Sequence, residues 1–307
     1  MDGAESKVEI IKPFNEAIEL TKKILFQPFD LRKWCVIGFA AFLANLGGGF
    51  NFNPGGTKTE RAELRSLAEQ LHQIPPWILI FGGAVIALSI LALIIVFAWL
   101  RARGRFMFID CVVKNRGVIA EPWREFRREA NSFFLFSLLV GLSLFGFVAI
   151  LSLPFMLPIV RGVTFLHLHD TYLIGMIVLW AAVSFLLIIA WAVIVHFTIM
   201  IMYCRRCRAL EGLRIALNLI ASHPGEIALY CLFGIVLTTG AVMVGGIATC
   251  ATCCLALIPY VGTVILLPLY VCLRSFGVLF LRQFGPDYDA FARSTSSPTP
   301  APPPLPG

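Results

Sequence analysis

Long runs of apolar residues alternate with short polar segments along most of this chain. Six runs are long enough to cross a hydrocarbon core of about 30 Å, which takes about 20 helical residues. The runs lie at about residues 34–52, 77–100, 132–154, 173–196, 227–249 and 260–281. Since lipid cannot satisfy exposed backbone groups, and since the runs are continuous rather than alternating, each predicts a transmembrane helix.

Prolines interrupt two of these runs. Pro154 and Pro158 lie near the outer end of the third run, and Pro259 and Pro268 lie at the start of and within the sixth. Proline lacks an N–H donor and clashes with the preceding helical turn, so each position predicts a kink or a break. Such a break either lets a helix pack or exit or marks a substrate site.

Lysine and arginine lie on alternate sides of the six runs. Of the 25 basic residues, 21 lie in the N-terminal segment, the second and fourth loops and the C-terminal end. Because basic loops are retained in the cytoplasm, this asymmetry predicts a multi-pass protein of the plasma (inner) membrane. Both the N- and the C-terminus are predicted to be cytoplasmic.

Amphipathic segments precede the first, third and fifth runs, and each ends near a proline. Their apolar faces are Phe14, Ala17, Ile18, Thr21 and Leu25 before Pro28; Phe106, Ile109 and Val113 before Pro122; and Leu210, Leu213, Leu217 and Ile220 before Pro224. An apolar stripe beside basic residues is typical of a helix that lies in the membrane interface. The pattern therefore indicates an internal threefold repeat.

The predicted fold is an all-α integral membrane domain over residues 1–291. Six transmembrane helices form three hairpins in it, each preceded by an amphipathic helix on the cytoplasmic face. Residues 292–307 are rich in proline, serine and threonine, which predicts a disordered cytoplasmic tail.

The composition supports a membrane protein, and the positions of the basic residues indicate what the positive charge binds. The chain is 58% hydrophobic and 14% charged, with a net charge of +7 and a mean hydropathy of +0.83. The basic residues flank apolar runs, so anionic lipid headgroups, and no nucleic acid, are the predicted partner. The candidate headgroup contacts are Arg101, Arg103, Arg105, Arg124, Arg127, Arg128, Arg205 and Arg206.

Ionisable residues within the apolar runs are scarce. Arg274, in the sixth run, either extends to the headgroups or pairs with Glu226 at the start of the fifth. None of the six runs contains Asp or Glu. Because ion-coupled carriers use carboxylates within the membrane, this absence argues against that class.

The cysteines give no basis for a metal site. Cys204 and Cys207 share a C-x-x-C spacing, as do Cys250 and Cys253, and two such pairs often bind zinc. The predicted topology separates the pairs by a bilayer of about 30 Å. Cys250, Cys253 and Cys254 either form a disulfide in an oxidising compartment or remain reduced. We predict no metal, no cofactor and no catalytic residue.

Three stretches resemble an uncharacterised family of prokaryotic six-helix membrane proteins, often described as a domain of unknown function. They are PFDLRKW at 28–34, RARGRFMFIDCVVKNRGVIAEPWREFRREANSFFLF at 101–136 and IPYVGTVILLPLYVCLRSFGVLFLRQFG at 258–285. That family is similar to the membrane portion attached to some glycerophosphodiester phosphodiesterases. The resemblance covers about residues 8–291 and implies fold and membrane location, and no activity. The catalytic (β/α)₈ barrel of those phosphodiesterases has no counterpart here.

Two functions remain open. The first is a non-enzymatic membrane protein that organises lipid or partner proteins through its basic inner face. The alternative is a permease-like carrier or channel for a small or amphiphilic solute, suggested by the repeat and the interrupted helices. A lipid-directed enzyme would need carboxylate, histidine or nucleophile groups at one depth, and the sequence does not provide such a cluster.

Overall fold

All regular structure in the described residues is helical, as the sequence predicts. The computed structural model describes residues 9–46, 75–160, 170–252 and 258–295. The helices are α1 (Ile11–Leu25), α2 (Leu31–Asn45), α3 (Pro76–Val113), α4 (Ala120–Glu125), α5 (Arg127–Val160), α6 (Asp170–Arg205), α7 (Ala209–Ser222), α8 (Pro224–Ala251), α9 (Pro259–Ile265), α10 (Leu267–Arg282) and α11 (Ala290–Thr295). A short 3₁₀ helix covers Pro286–Tyr288. Residues 296–307 of the predicted tail lie outside the described residues.

Four of the described helices are long and apolar enough to cross a membrane. The segments that meet this description are Trp77–Val113, Arg127–Ile150, Ile177–Arg205 and Pro224–Ala251. They cover all of the second and fifth predicted runs and most of the third and fourth. Four such helices are compatible with a multi-pass membrane protein.

The first and sixth predicted runs form shorter helices. α2 has 15 residues, about 22 Å at 1.5 Å per residue, and residues 47–52 of the predicted run lie outside the described residues. The sixth run is divided at Leu266, where α9 ends and α10 begins. Pro268 explains the division, because its ring and missing N–H interrupt the helical hydrogen bonds. The described helices therefore support four membrane-length spans.

One end of the molecule is a packed body, which we call the base. It consists of α1, α2, α4, α7 and α10 together with residues 97–113 of α3, Phe126, and residues 127–136 of α5, 195–205 of α6 and 224–231 of α8. Its largest fully buried side chains include Phe106, Phe108, Phe133, Phe197 and Phe276. Aromatic rings pack closely there, as in the stacked pair Tyr230 and Phe280, with centroids 4.4 Å apart.

α2 and α3 approach each other closely within the base, and Gly104 permits this. A Cβ atom at Gly104 would lie 2.6 Å from the backbone of Leu43 and Ala44. No side chain can be accommodated at that distance without moving one of the helices. α2 is thereby fixed against the C-terminal part of α3.

Each of the four long helices continues beyond the base in a segment that we call its arm: residues 77–96, 138–150, 177–189 and 232–247. Their apolar side chains are largely uncovered; Phe81 is 72% exposed and Phe145 is 73% exposed. Soluble proteins rarely expose apolar surface on this scale. Several arm hydroxyls donate back into their own helices, as Ser89 does to the Val85 carbonyl at 2.8 Å and Thr238 to that of Gly234 at 2.7 Å. Such internal pairing is what a lipid environment requires.

Two of the three predicted amphipathic segments are separate helices. α1 buries Ala17, Thr21 and Ile24, while α7 buries the small residues Ala209, Gly212 and Ala216. In α7 the buried face lies about one residue from the predicted one, and Leu210 remains exposed. Small residues are favoured on this face because α7 packs closely against α6: a Cβ atom at Gly212 would lie 2.7 Å from the side chain of Met202.

The second predicted amphipathic segment is not a separate helix. Phe106, Ile109 and Val113 are buried in the last turns of α3, which continues through them without a break. The chain turns only at Asn115, whose φ is +49°. The following α4 has six residues, too few for an interfacial helix of the predicted kind. The described helices therefore do not show the threefold repeat.

Candidate functional site

A cavity of about 930 Å³ lies where the base meets the arms. α3, α5, α6 and α10 line it, together with the C-terminal end of α2. Its polar lining residues are Asn45, Arg101, Arg105, Ser137, His196 and Arg274, and its apolar lining residues include Ile90, Leu93, Ile94, Phe97 and Trp191. None of its described lining residues is acidic.

Three arginines converge on this cavity from two helices. Arg101 and Arg105 are four residues apart on α3 and so lie on the same face of that helix. Arg274 comes from α10. Arg101 and Arg274 are both close enough to Arg105 to repel its charge. The cavity therefore concentrates like charges that the sequence places 173 residues apart.

These arginines have few partners in the part of the chain that the structure describes. The guanidinium of Arg105 lies 5.8 Å from the centroid of the Phe133 ring, and that of Arg274 lies 5.6 Å from the centroid of Phe108. The Nε atom of Arg101 is buried without a hydrogen-bond partner. None of the three forms an ion pair with a described carboxylate.

The wall beside Arg274 is held by a hydrogen bond between α6 and α8. The Nε2 atom of His196 and the hydroxyl of Tyr230 are 2.8 Å apart. Gly277 makes room for this pair, because a Cβ atom there would lie 3.0 Å from the Tyr230 hydroxyl. Tyr230 also stacks on Phe276, with centroids 5.1 Å apart. The wall of the cavity beside Arg274 is therefore part of the packed base.

Arg103 lies on a different face of α3 and is enclosed by aromatic rings. Its guanidinium is 4.3 Å from the centroid of Trp99 and 4.7 Å from that of Trp123. It donates a hydrogen bond to the Asn131 side chain at 3.3 Å. These contacts give Arg103 a structural role through cation–π attraction, and they do not aim it at a ligand.

A buried carboxylate organises the basic residues beyond the end of α3. Asp110 has no exposed surface, and its oxygens lie 2.8 Å from Lys114 Nζ and 2.9 Å from Arg116 Nη2. The Tyr203 hydroxyl donates to Asp110 at 3.1 Å. Although burial opposes the charge of Arg116, its hydrogen bond to Asp110 and the nearby carboxylates raise its pKa. This network joins α3 to α6.

Glu125 adds a second layer to the same network. It accepts from Lys114 at 3.1 Å and pairs with Arg206, which also lies 3.8 Å from the centroid of Phe126. Burial alone would raise the pKa of Glu125, but the hydrogen bonds from Lys114 and Arg206 outweigh it, and the pKa is lowered. Protein carboxylates thus neutralise Lys114, Arg116 and Arg206 at this end of the base.

The eight predicted headgroup contacts therefore separate into groups. Arg205 and Arg206 are paired, Arg205 with Asp287 at 2.6 Å and Arg206 with Glu125. Arg103 is enclosed, and Arg101 and Arg105 face the cavity. The remaining three, Arg124, Arg127 and Arg128, are exposed and form no ion pair with the described carboxylates.

The predicted pair of Arg274 and Glu226 is not formed. Glu226 is in the first turn of α8 and lies near His223, with 3.9 Å between Nδ1 and Oε1. Arg274 instead faces the cavity, beside Phe108 and near Tyr230. The pairing fails because Glu226 is partly exposed at the outside of the base, whereas Arg274 points towards its interior.

No group of three metal-ligating residues occurs in the ranges that the structure describes. Cys204 and Cys207 are both buried, and burial raises the pKa of the Cys207 thiol. Cys250 is exposed, and Cys253 and Cys254 lie outside the described residues. The sequence-based reading did not anticipate Asp110 or the role of Arg274. An acidic residue in a basic apolar stretch was the available signal for Asp110.

The chain belongs to a Family of unknown function (DUF7544), which it matches over residues 8–287. No curated protein matches the chain, and no solved structure does. The match agrees with the resemblance to an uncharacterised family. It shows no link to the glycerophosphodiester phosphodiesterases.

Proposed function

We propose that this protein is a non-enzymatic, multi-pass protein of the plasma (inner) membrane that organises anionic lipids, or partner proteins bound with them, at its cytoplasmic face. The arms lie in the hydrocarbon, and the base lies at the inner headgroup layer and in the cytoplasm. Both termini are cytoplasmic, in line with the distribution of Lys and Arg.

The proposed topology has six crossings arranged as three hairpins. α2 contributes the first crossing, and α9 with α10 contributes the sixth. A helix of about 22 Å is shorter than a hydrocarbon core of about 30 Å. The membrane can accommodate such a mismatch by local thinning. α1 and α7 are the interfacial helices of the first and third hairpins.

One observation carries the lipid proposal: unpaired cations lie where an arm begins. Arg124 is exposed in α4, and Arg127 and Arg128 are exposed at the start of α5; the arm of α5 begins about ten residues later. Basic residues at this depth attract anionic headgroups by about 1 kcal/mol each. Other basic residues nearby, such as Lys114 and Arg206, are already neutralised within the protein.

Lipid enrichment around the protein tests this proposal. Protein in vesicles of phosphatidylcholine with a minority of phosphatidylglycerol is extracted with its surrounding lipid, whose composition is compared with that of the bulk. We expect phosphatidylglycerol to be enriched, and the enrichment to fall in R124Q/R127Q/R128Q. The matched variant R124K/R127K/R128K keeps the charges and should keep the enrichment. Equal composition around wild type and the Gln variant would refute the proposal.

The cavity also supports the alternative function, a carrier or channel for a small or amphiphilic solute. It extends along α3 from Arg105 to Ile90, about 22 Å, which brings it close to the middle of the arm. Flux of an amphiphilic anion from loaded vesicles that is abolished by filling the cavity would favour a carrier. The resemblance to the membrane portion of phosphodiesterases remains a prediction, and neither function depends on it.

A further inference from the structure

We propose that the cavity is a binding site for one anionic membrane lipid, whose phosphate is held by Arg101, Arg105 and Arg274 and whose acyl chain extends between the arms. This inference rests on the proposed function and deepens it. Beyond a general attraction for headgroups, it specifies one binding site that holds one lipid per chain.

The charge of the cavity is the first argument. Arg101, Arg105 and Arg274 face one space that contains no described carboxylate. Arginine does not lose its proton in proteins, so deprotonation cannot relieve the repulsion. By contrast, Lys114 and Arg116, which are also partly buried in the base, are paired with Asp110. A bound anion is therefore the missing counter-charge.

The chemistry of the guanidinium groups indicates which anion fits. Arginine presents a planar fork of N–H donors that matches the oxygens of a phosphate, and such charge-assisted hydrogen bonds are the strong ones. The buried Nε of Arg101 still lacks a partner among the described residues. Three forks from two helices suit a phosphate group, which offers several acceptor oxygens.

The shape of the cavity indicates that the phosphate belongs to a lipid. The cations lie at the end of the cavity near the base, which we call the lower end. Ile90, Leu93 and Ile94 line the opposite, upper end, which lies between the arms. Ile94 is 58% exposed although it lines the cavity, so the upper end is open between the arms. A headgroup with its acyl chain matches this change from cationic to apolar along α3.

The size of the cavity argues against a free inorganic anion as its occupant. Its volume of about 930 Å³ is at the upper end of the range for ligand pockets, about 300–1,000 Å³. A single water occupies about 30 Å³ in the liquid, and an inorganic phosphate needs only a few times that space. Most of the cavity would then be left as apolar wall in contact with water.

Native mass spectrometry of the full chain tests the site. Protein is taken from vesicles of phosphatidylcholine containing phosphatidylglycerol, and the lipids that remain bound are counted. We expect one retained phosphatidylglycerol per chain. In R105Q/R274Q the retained fraction should fall by about tenfold or more, because two charge-assisted contacts are lost. The control R208Q/R214Q removes the same charge from two exposed positions outside the cavity lining and should retain the lipid.

Equal retention in R105Q/R274Q and R208Q/R214Q would overturn the inference. Inorganic phosphate, added to wild type during extraction, separates a lipid from a soluble anion. We expect no displacement; displacement of phosphatidylglycerol by phosphate would show a soluble-anion site and overturn the lipid assignment. Bulk enrichment without a retained lipid contradicts this site alone, whereas a retained lipid without bulk enrichment contradicts the proposed function alone.

A second variant keeps the test informative if R105Q/R274Q does not fold. Ile94→Trp fills the upper end of the cavity and leaves all three arginines in place. Because Ile94 is exposed in the arm, the base should fold normally. We expect the retained lipid to be lost in I94W but kept in Ile86→Trp, an exposed arm residue of α3 outside the cavity lining. Undiminished retention in I94W would contradict the site.

Discussion

The base and the arms use the same helices in opposite ways. Along α3, Phe81 is uncovered and Phe106 is fully buried, although one continuous helix carries both. In the base, aromatic packing and the Asp110 network hold the helices together. In the arms, apolar side chains face outwards and hydroxyl groups return to their own backbone. The base is thus stabilised by its own interior, whereas the arms, in the topology we propose, depend on the surrounding lipid.

The largest expected effect comes from breaking the buried charge network of the base. Asp110→Ala leaves Lys114, Arg116 and the Tyr203 hydroxyl without their shared acceptor. Removing one partner of a buried ion pair costs about 3–5 kcal/mol. Chemical unfolding in detergent should show a loss in this range, while Ser89→Ala in the arm should have little effect. Similar unfolding free energies for both variants would remove the contrast between the two regions.

A charge placed in an arm tests its lipid contact. Leu142 is exposed in α5, near the middle of the predicted third run. Leu142→Arg should disfavour insertion by about 2.5–3.5 kcal/mol, the cost of arginine at the centre of a helix in the membrane. The measurement is the inserted fraction in a glycosylation-based insertion assay, with Leu142→Ile as control. Unchanged insertion would place this surface outside the hydrocarbon.

Two glycines of α3 give a matched comparison, in which the expected effect on stability is of intermediate size. A Cβ atom at Gly104 would lie 2.6 Å from the α2 backbone, whereas nothing lies within 4 Å of one at Gly82. Gly104→Ala should destabilise the protein by about 1–3 kcal/mol through overpacking. Gly82→Ala should be neutral or slightly stabilising, because alanine favours a helix. Thermal unfolding of both variants decides whether only the base is closely packed.

The smallest expected effect is a dependence of base stability on pH. The pKa of Glu125 is lowered in the folded protein, so its stabilising contribution is present above its ordinary pKa of about 4.5. That contribution should be lost as the pH falls through the lowered folded value. Glu125→Gln should therefore unfold with a weaker dependence on acid pH than wild type. An identical pH profile for both would show that the pairing with Lys114 and Arg206 adds no stability.

The sequence predicts the arms better than the base. Continuous apolar runs locate four membrane-length helices, and Pro268 correctly indicates the break before α10. The amphipathic pattern at Phe106, Ile109 and Val113 was misleading, because the same period fits a surface helix and the buried end of a longer one. Only packing against the other helices of the base distinguishes the two.

The candidate site could be predicted only in part for a similar reason. Arg101 and Arg105 are recognisable as cations at the end of an apolar run. Their convergence with Arg274 depends on how α10 packs against α3, which local patterns do not report. The pairing of Arg206 with Glu125 joins residues 81 positions apart, so the sequence alone could not separate neutralised cations from those that remain available.

The length of α3 has a mechanical consequence. Its 38 residues form a rod of about 57 Å that begins in the arm and ends beside Asp110. If the arm of α3 crosses the membrane as we propose, a thinner bilayer that tilts the arm must also move the end of α3 in the base, since no break separates the two halves. Membrane thickness would then act directly on the spacing between α3 and α6, with the helix serving as a lever.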